Sequence, residues 1–163
     1  MEFLETFNPG RQKEFCTKAN IAKCYFGSAP TLTELNNAYG SKAAVSWLAP
    51  QLYNLSEYCG CKDKIKPHQM DELAHIIADK YYYLKATELM IFFYRFKQGE
   101  YGRFYGAVDP ITIVASIKDF IVERNAEYRK REDREMQQQY EEWRKRAVTR
   151  EEYERIINQQ PQQ

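Results

Sequence analysis

No stretch of this sequence approaches the ~20 consecutive apolar residues that a membrane-spanning helix needs. The first eleven residues carry Glu2 and Glu5 and no basic segment leading into an apolar run, which excludes a secretory leader there. Basic excess is also missing: formal net charge is +1, so a protein that coats nucleic acid by neutralising phosphates is disfavoured, though a local patch stays open. Only two histidines are present, no serine sits in a Gly-x-Ser-x-Gly turn, and no carboxylate pair stands at a spacing suited to acid–base work. The sequence therefore predicts a protein that is not an enzyme. Strand-type alternation and internal repeats are absent as well.

What is present is an aromatic-rich core set. The chain is 44% hydrophobic and contains 13 Tyr and 9 Phe, which excludes a disordered polypeptide. The expected compartment is the cytoplasm, where the four cysteines stay free thiols. Asn8-Pro9-Gly10 reads as a turn, residues 10–19 as a short helix carrying Phe15 inward, and residues 25–30 as a connector. Thr31-Leu32-Thr33-Glu34 is a capping box, and its helix ends at Tyr39-Gly40. Ser41 is placed to cap the next helix, in which Ala44, Trp47, Leu48, Leu52 and Leu55 recur at helical spacing; Pro50 implies a kink or restart, and Cys59-Gly60-Cys61 closes it.

From Pro67 the chain runs to Gln98 without Gly or Pro, predicting a long central helix of roughly 45 Å, straight or bent. Asp109-Pro110 is an N-cap followed by a first-turn proline. Ile113, Val114, Ile117, Phe120 and Ile121 then form an apolar face that disappears beyond Asn125. Residues 126–146 mix seven basic with six acidic side chains, a solvated face rather than a nucleic-acid arm. Thr149 to Glu152 is a second capping box for a short helix through Ile157, and residues 159–163 form a frayed tail. The expectation is an all-α protein: a compact multi-helix domain over 1–125, and a protruding charged C-terminal helix with its tail over 126–163.

The most unusual segment is Gly99 to Pro110, with its approach from Arg95. Three glycines are interleaved with Tyr101, Phe104 and Tyr105 beside the cations Arg95, Lys97 and Arg103. Glycine permits positive φ and close approach, and aromatics with arginine make stacking and cation–π surfaces. Such a loop suits a partner side chain, a nucleobase or an anion; it equally suits a tight crossover whose aromatics plug the core. It lacks the Gly-Lys-Ser/Thr of a phosphate-binding loop. Trp143, on a polar helix near Tyr140, is a further candidate anchor or a residue folded back on the body. Glu88 requires a partner if it faces inward, and Arg95 or Lys85 is the expected one. Cys59, Cys61, His68 and His75 do not have the spacing of a zinc module, and neither metal nor other cofactor is expected.

Gln12-Lys13-Glu14-Phe15-Cys16, Cys24-Tyr25-Phe26-Gly27, Leu55-Ser56-Glu57-Tyr58-Cys59-Gly60-Cys61, Phe92-Phe93-Tyr94-Arg95-Phe96-Lys97 and Tyr101-Gly102-Arg103-Phe104-Tyr105-Gly106 carry a resemblance. Over residues 10–128 the chain resembles an uncharacterised family of Bacteroidales genomes, including prophages and conjugative elements. The resemblance assigns no functional residue. It implies a bacterial, mobile-element setting, and by analogy of layout an accessory in DNA replication or maintenance, helicase-loader-like. The expected ligands are a protein partner and single-stranded nucleic acid, through Arg95, Lys97, Tyr101, Arg103, Phe104 and Tyr105. The alternative is a protein-interaction module acting through the C-terminal helix at Trp143, with no nucleic-acid contact. Oligomeric state stays open.

Overall fold

The computed structural model describes residues 2–147 and 150–158. Within them the chain is all-α and contains no strand, only two isolated bridges, Thr31 with Lys85 and Asp63 with Ala107. The order is α1 (Glu2–Thr6), a 3-10 turn (Pro9–Arg11), α2 (Gln12–Phe15), α3 (Ile21–Phe26), α4 (Leu32–Tyr39), α5 (Ala43–Tyr58), α6 (Pro67–Lys80), α7 (Ala86–Lys97), α8 (Pro110–Arg146) and α9 (Arg150–Asn158). None of these helices is long and apolar enough to cross a membrane. The chain divides into two units, residues 1–125 and 126–163.

In the first unit α7 is the centre. Eight consecutive residues, Ala86 to Phe93, are all buried, as expected of a helix covered on every side. It packs against α2, α3 and α5. Phe92 also lies 5.7 Å, ring to ring, from Phe120 of α8. Trp47, Leu48, Leu52 and Leu55 of α5, with Leu73 and Ile77 of α6, complete the core at 2% exposure or less.

Several local expectations hold. Thr31 and Glu34 form the reciprocal cap, with Glu34 N–H donating to Thr31 Oγ1 (3.2 Å) and Thr31 N–H to Glu34 Oε2 (2.7 Å). Gly40, at φ 103°, ends α4. Asp109 caps α8, accepting from Ile111 N–H at 2.9 Å.

Others are corrected. Residues 67–98 are not one helix, since the backbone leaves it at Tyr81 to Lys85. There Leu32 and Thr33 N–H groups donate to Leu84 and Tyr82 carbonyls (3.0 Å each), and Ala86 N–H to Pro30 O (2.9 Å). Partners fifty residues away replace the intrahelical ladder, and the Glu88 carboxylate restarts the helix by accepting from Lys85 N–H at 2.9 Å.

The expected helix over 10–19 stops at Phe15, because Thr17 Oγ1 and Asn20 Nδ2 both donate to the Glu14 carbonyl. Residues 25 and 26, read as connector, finish α3, which buries Cys24 and Tyr25. Ser41 is not the cap of α5: Asn36 Oδ1 accepts from Ala44 N–H at 2.9 Å instead. Pro50 sits inside an unbroken α5, so no restart occurs.

In the second unit, residues 129–146 of α8 are exposed throughout, with ion pairs such as Lys130–Glu127, Arg131–Glu135 and Arg146–Glu142 along the helix. Each exposed pair contributes only ~0.2–0.5 kcal/mol, so the helix here rests on good helix formers and accumulated small terms. Thr149 and the tail beyond Asn158 lie outside the described residues.

Candidate functional site

The loop between α7 and α8 is fixed at both ends. Gly99, at φ 83°, reverses the chain, and its N–H closes on Phe96 O at 2.9 Å. The chain then returns to the core. Tyr101 is 9% exposed, stacks on Phe92 with 5.5 Å between centroids, and donates its hydroxyl to Glu123 Oε2 at 3.0 Å. Ser116 Oγ donates to the Tyr101 carbonyl at 3.1 Å. Phe104 stacks on Phe96 at 5.3 Å. On the far side Val108 N–H donates to Asp63 O (3.0 Å) and Asp63 N–H to Gly106 O (3.3 Å), tying the loop to the α5–α6 connector. Val108 is buried and Asp109 starts α8.

Between those anchors lie two outward side chains. Arg103 is exposed, and Tyr105 is 90% exposed between Gly102 (φ 120°) and Gly106 (φ 80°). The loop therefore divides: Tyr101 and Phe104 serve packing, while Arg103 and Tyr105 face out.

The remaining named residues divide in the same way. Arg95 is turned to its own fold: Nη1 meets Glu123 Oε2 at 2.7 Å, and Nε lies 3.7 Å from Glu100 Oε2. Burial opposes its charge, but Tyr25, Tyr101 and Glu100 outweigh that and raise its pKa. The same environment, burial foremost, raises the Tyr101 phenol, so the hydroxyl keeps the proton that it donates to Glu123. Lys97 points inward to Gln12 Oε1 (2.6 Å) and Asn54 Oδ1, over the Tyr58 ring. Burial lowers its pKa and Cys59 opposes the shift. Trp143 is 64% exposed, 6.0 Å from the Tyr140 ring within the second unit.

Glu88 is fully buried, and its ion-pair partner is Arg124 of α8, Nε to Oε1 at 2.7 Å. It is neither Arg95 nor Lys85; Lys85 Nζ instead donates to the Tyr25 and Gly27 carbonyls at 2.9 Å each. Among the described residues no group of three His, Cys, Asp or Glu side chains is placed to hold a metal ion.

Sequence reasoning missed two participants. Glu123 organises the loop base, and its signal was its place three residues beyond Phe120 on the same helix. Asp63 holds the loop's far side through backbone atoms, which leave no side-chain signature.

A family of unknown function, DUF6633, matches residues 64–161, more than half the chain. The chain belongs to that family. The DUF6633 match takes in α6, α7, the 99–110 loop and the charged part of α8, which the resemblance over 10–128 left outside. Neither a curated protein nor a solved structure matches the chain.

Proposed function

We propose that this protein is a non-catalytic accessory or adaptor that presents Arg103 and Tyr105 to a protein partner. The observation that carries the reading is the 90% exposure of Tyr105 on a loop whose neighbours Tyr101 and Val108 are buried. Tyrosine and arginine are the residue types that supply most interface energy. A loop already held at both ends loses little entropy when a partner orders its tip. Arg95 and Lys97 are engaged internally, which leaves Arg103 as the outward cation of the original set. That favours a protein over the sugar–phosphate backbone of single-stranded nucleic acid, where several free cations would add up. The setting we propose is the bacterial cytoplasm, in mobile-element replication or maintenance. The sequence resemblance supports that setting.

The test places a photo-crosslinking phenylalanine at position 105, with one at exposed Tyr53 as the comparison, in the native host. A discrete adduct from position 105 that Arg103→Ala removes is the expected result. Fluorescence anisotropy with labelled single-stranded DNA runs beside it. Micromolar, salt-sensitive binding lost in Arg103→Ala and Tyr105→Ala moves the reading to nucleic acid. Neither adduct nor DNA binding overturns the loop assignment.

A second reading uses the C-terminal helix. Tyr140 and Trp143 are 60% and 64% exposed three residues apart, an aromatic pair on a polar helix. Truncation after Arg124 then abolishes partner capture without unfolding the body, and unchanged capture by the truncated form rules it out.

A further inference from the structure

A groove of about 530 Å³ opens between α1, the end of α4 and the start of α5, apart from the loop site. Its size falls in the ~300–1,000 Å³ range of small-molecule sites. The walls are aromatic and held in place. Trp47, 2% exposed, is fixed by its Nε1–H donating to Phe7 O at 3.0 Å. Phe3 stands edge-on to it at 5.9 Å and lies 6.4 Å from the Tyr39 ring. Leu35, 1% exposed, supplies an aliphatic wall.

The polar side of the groove has one sign. Among the described residues that line it, Lys42 is the only charged one, with Ser41 and Ser46 beside it. Among the described residues Lys42 forms no ion pair. Glu2 and Glu5 of α1 do not line the groove, and Glu34 of α4 is occupied by its cap with Thr31. The start of the 16-residue α5 adds its partial positive charge at the same end. That single positive charge attracts an anionic guest, gives a neutral one no such gain, and repels a cation.

We infer that this groove binds a small aromatic carboxylate, its ring system against Phe3, Tyr39 and Trp47 and its anion at Lys42. The carboxylate meets the lysine and the serine hydroxyls while the rings replace water on the aromatic walls. Nothing in the partner-binding reading requires this site, so the two stand or fall separately.

Calorimetric titration of the full chain with 2-naphthoate, and with neutral 2-naphthamide, tests it. The expected result is saturable one-to-one binding of the carboxylate with Kd below millimolar, and at least tenfold weaker binding of the amide. Lys42→Gln should bring the carboxylate down to the amide's affinity. Ser46→Trp, at an exposed position that leaves folding alone, should fill the groove and abolish binding of both. No saturable binding of the carboxylate overturns the proposal. Equal affinity for acid and amide, or a Lys42→Gln variant that binds like wild type, also overturns it. Circular dichroism of each variant confirms that the fold is retained.

Discussion

Removing the guanidinium at position 124 tests the electrostatic logic of the core most directly. Glu88 is 0% exposed, and its two carboxylate oxygens meet Arg124 Nε at 2.7 Å and Lys85 N–H at 2.9 Å. Arg124→Met removes the guanidinium from the Tyr83 ring, 5.8 Å from its carbon, and leaves the carboxylate short of its ion-pair partner. Breaking a buried pair from one side costs ~3–5 kcal/mol. The lower end applies, because the Lys85 N–H donor remains and the Arg124 side chain is still 15% exposed. About 3 kcal/mol is a large share of the ~5–15 kcal/mol that holds a domain together, and it lowers Tm by roughly 10 °C in a chain of this size. Urea unfolding followed by circular dichroism measures it. The full cycle adds Glu88→Met and the double variant Glu88→Met with Arg124→Met. In the double variant no unpaired charge is buried, so it should be more stable than the sum of the singles by about 2 kcal/mol. A single Arg124→Met within ~1 kcal/mol of wild type, or a coupling below ~0.5 kcal/mol, refutes the pairing as the reason for Glu88's burial.

Tyr101→Phe keeps the ring stack on Phe92 and deletes the hydroxyl that Glu123 accepts, so it should cost about 1 kcal/mol in urea unfolding; no loss would mean the phenol does not anchor the loop. Thr31→Ala removes the acceptor for Glu34 N–H and should cost ~1 kcal/mol by the same assay, whereas Thr31→Ser should cost far less. Burial pushes the Cys16 and Cys24 thiols from 9.0 up to about 11. The folded state thus holds these protons where the unfolded chain has released them, and their stabilisation, full below pH 9, is lost as pH rises through 9 to 11. Melting curves across that window should fall less steeply in a Cys16→Ala, Cys24→Ala double variant, and an unchanged slope would contradict the burial argument.

The elements legible in the sequence are those whose causes lie within a few residues. Thr31 with Glu34, Gly40 after Tyr39, and Asp109 before Pro110 each act over three positions or fewer, so the letters alone specify them. The break at Tyr81 to Lys85 is of another kind. Its sequence is compatible with helix, and it is overridden because Pro30 to Thr33 offers that backbone alternative partners. Side-chain destinations failed for the same reason. Glu88 finds Arg124 thirty-six positions on, and Lys97 finds Gln12 eighty-five positions back. The loop was recognisable by composition. Its division into inward Tyr101 and Phe104 and outward Arg103 and Tyr105 depends on where Phe92, Phe96 and Glu123 stand in the folded chain.

The family match begins at residue 64, yet the fold gives that position no independence. α7, wholly inside the matched segment, buries Ala86 to Phe93 against α2, α3 and α5, all of which precede it. Stripped of those helices it would lose part of the cover that now keeps every residue from Ala86 to Phe93 buried. Burying one large apolar side chain contributes ~1.5–3 kcal/mol, so uncovering about three of them approaches the whole stability of a marginal domain. Within the first unit, residues 64–125 and the first 63 are therefore one cooperative structure, and the start of the match is not a domain boundary. The two proposed sites sit on opposite sides of it: the Arg103–Tyr105 loop inside the matched segment, the aromatic groove wholly before it. Partner binding through the loop is in that sense a candidate property of the family, whereas the groove is built from a part of this chain that the match does not reach.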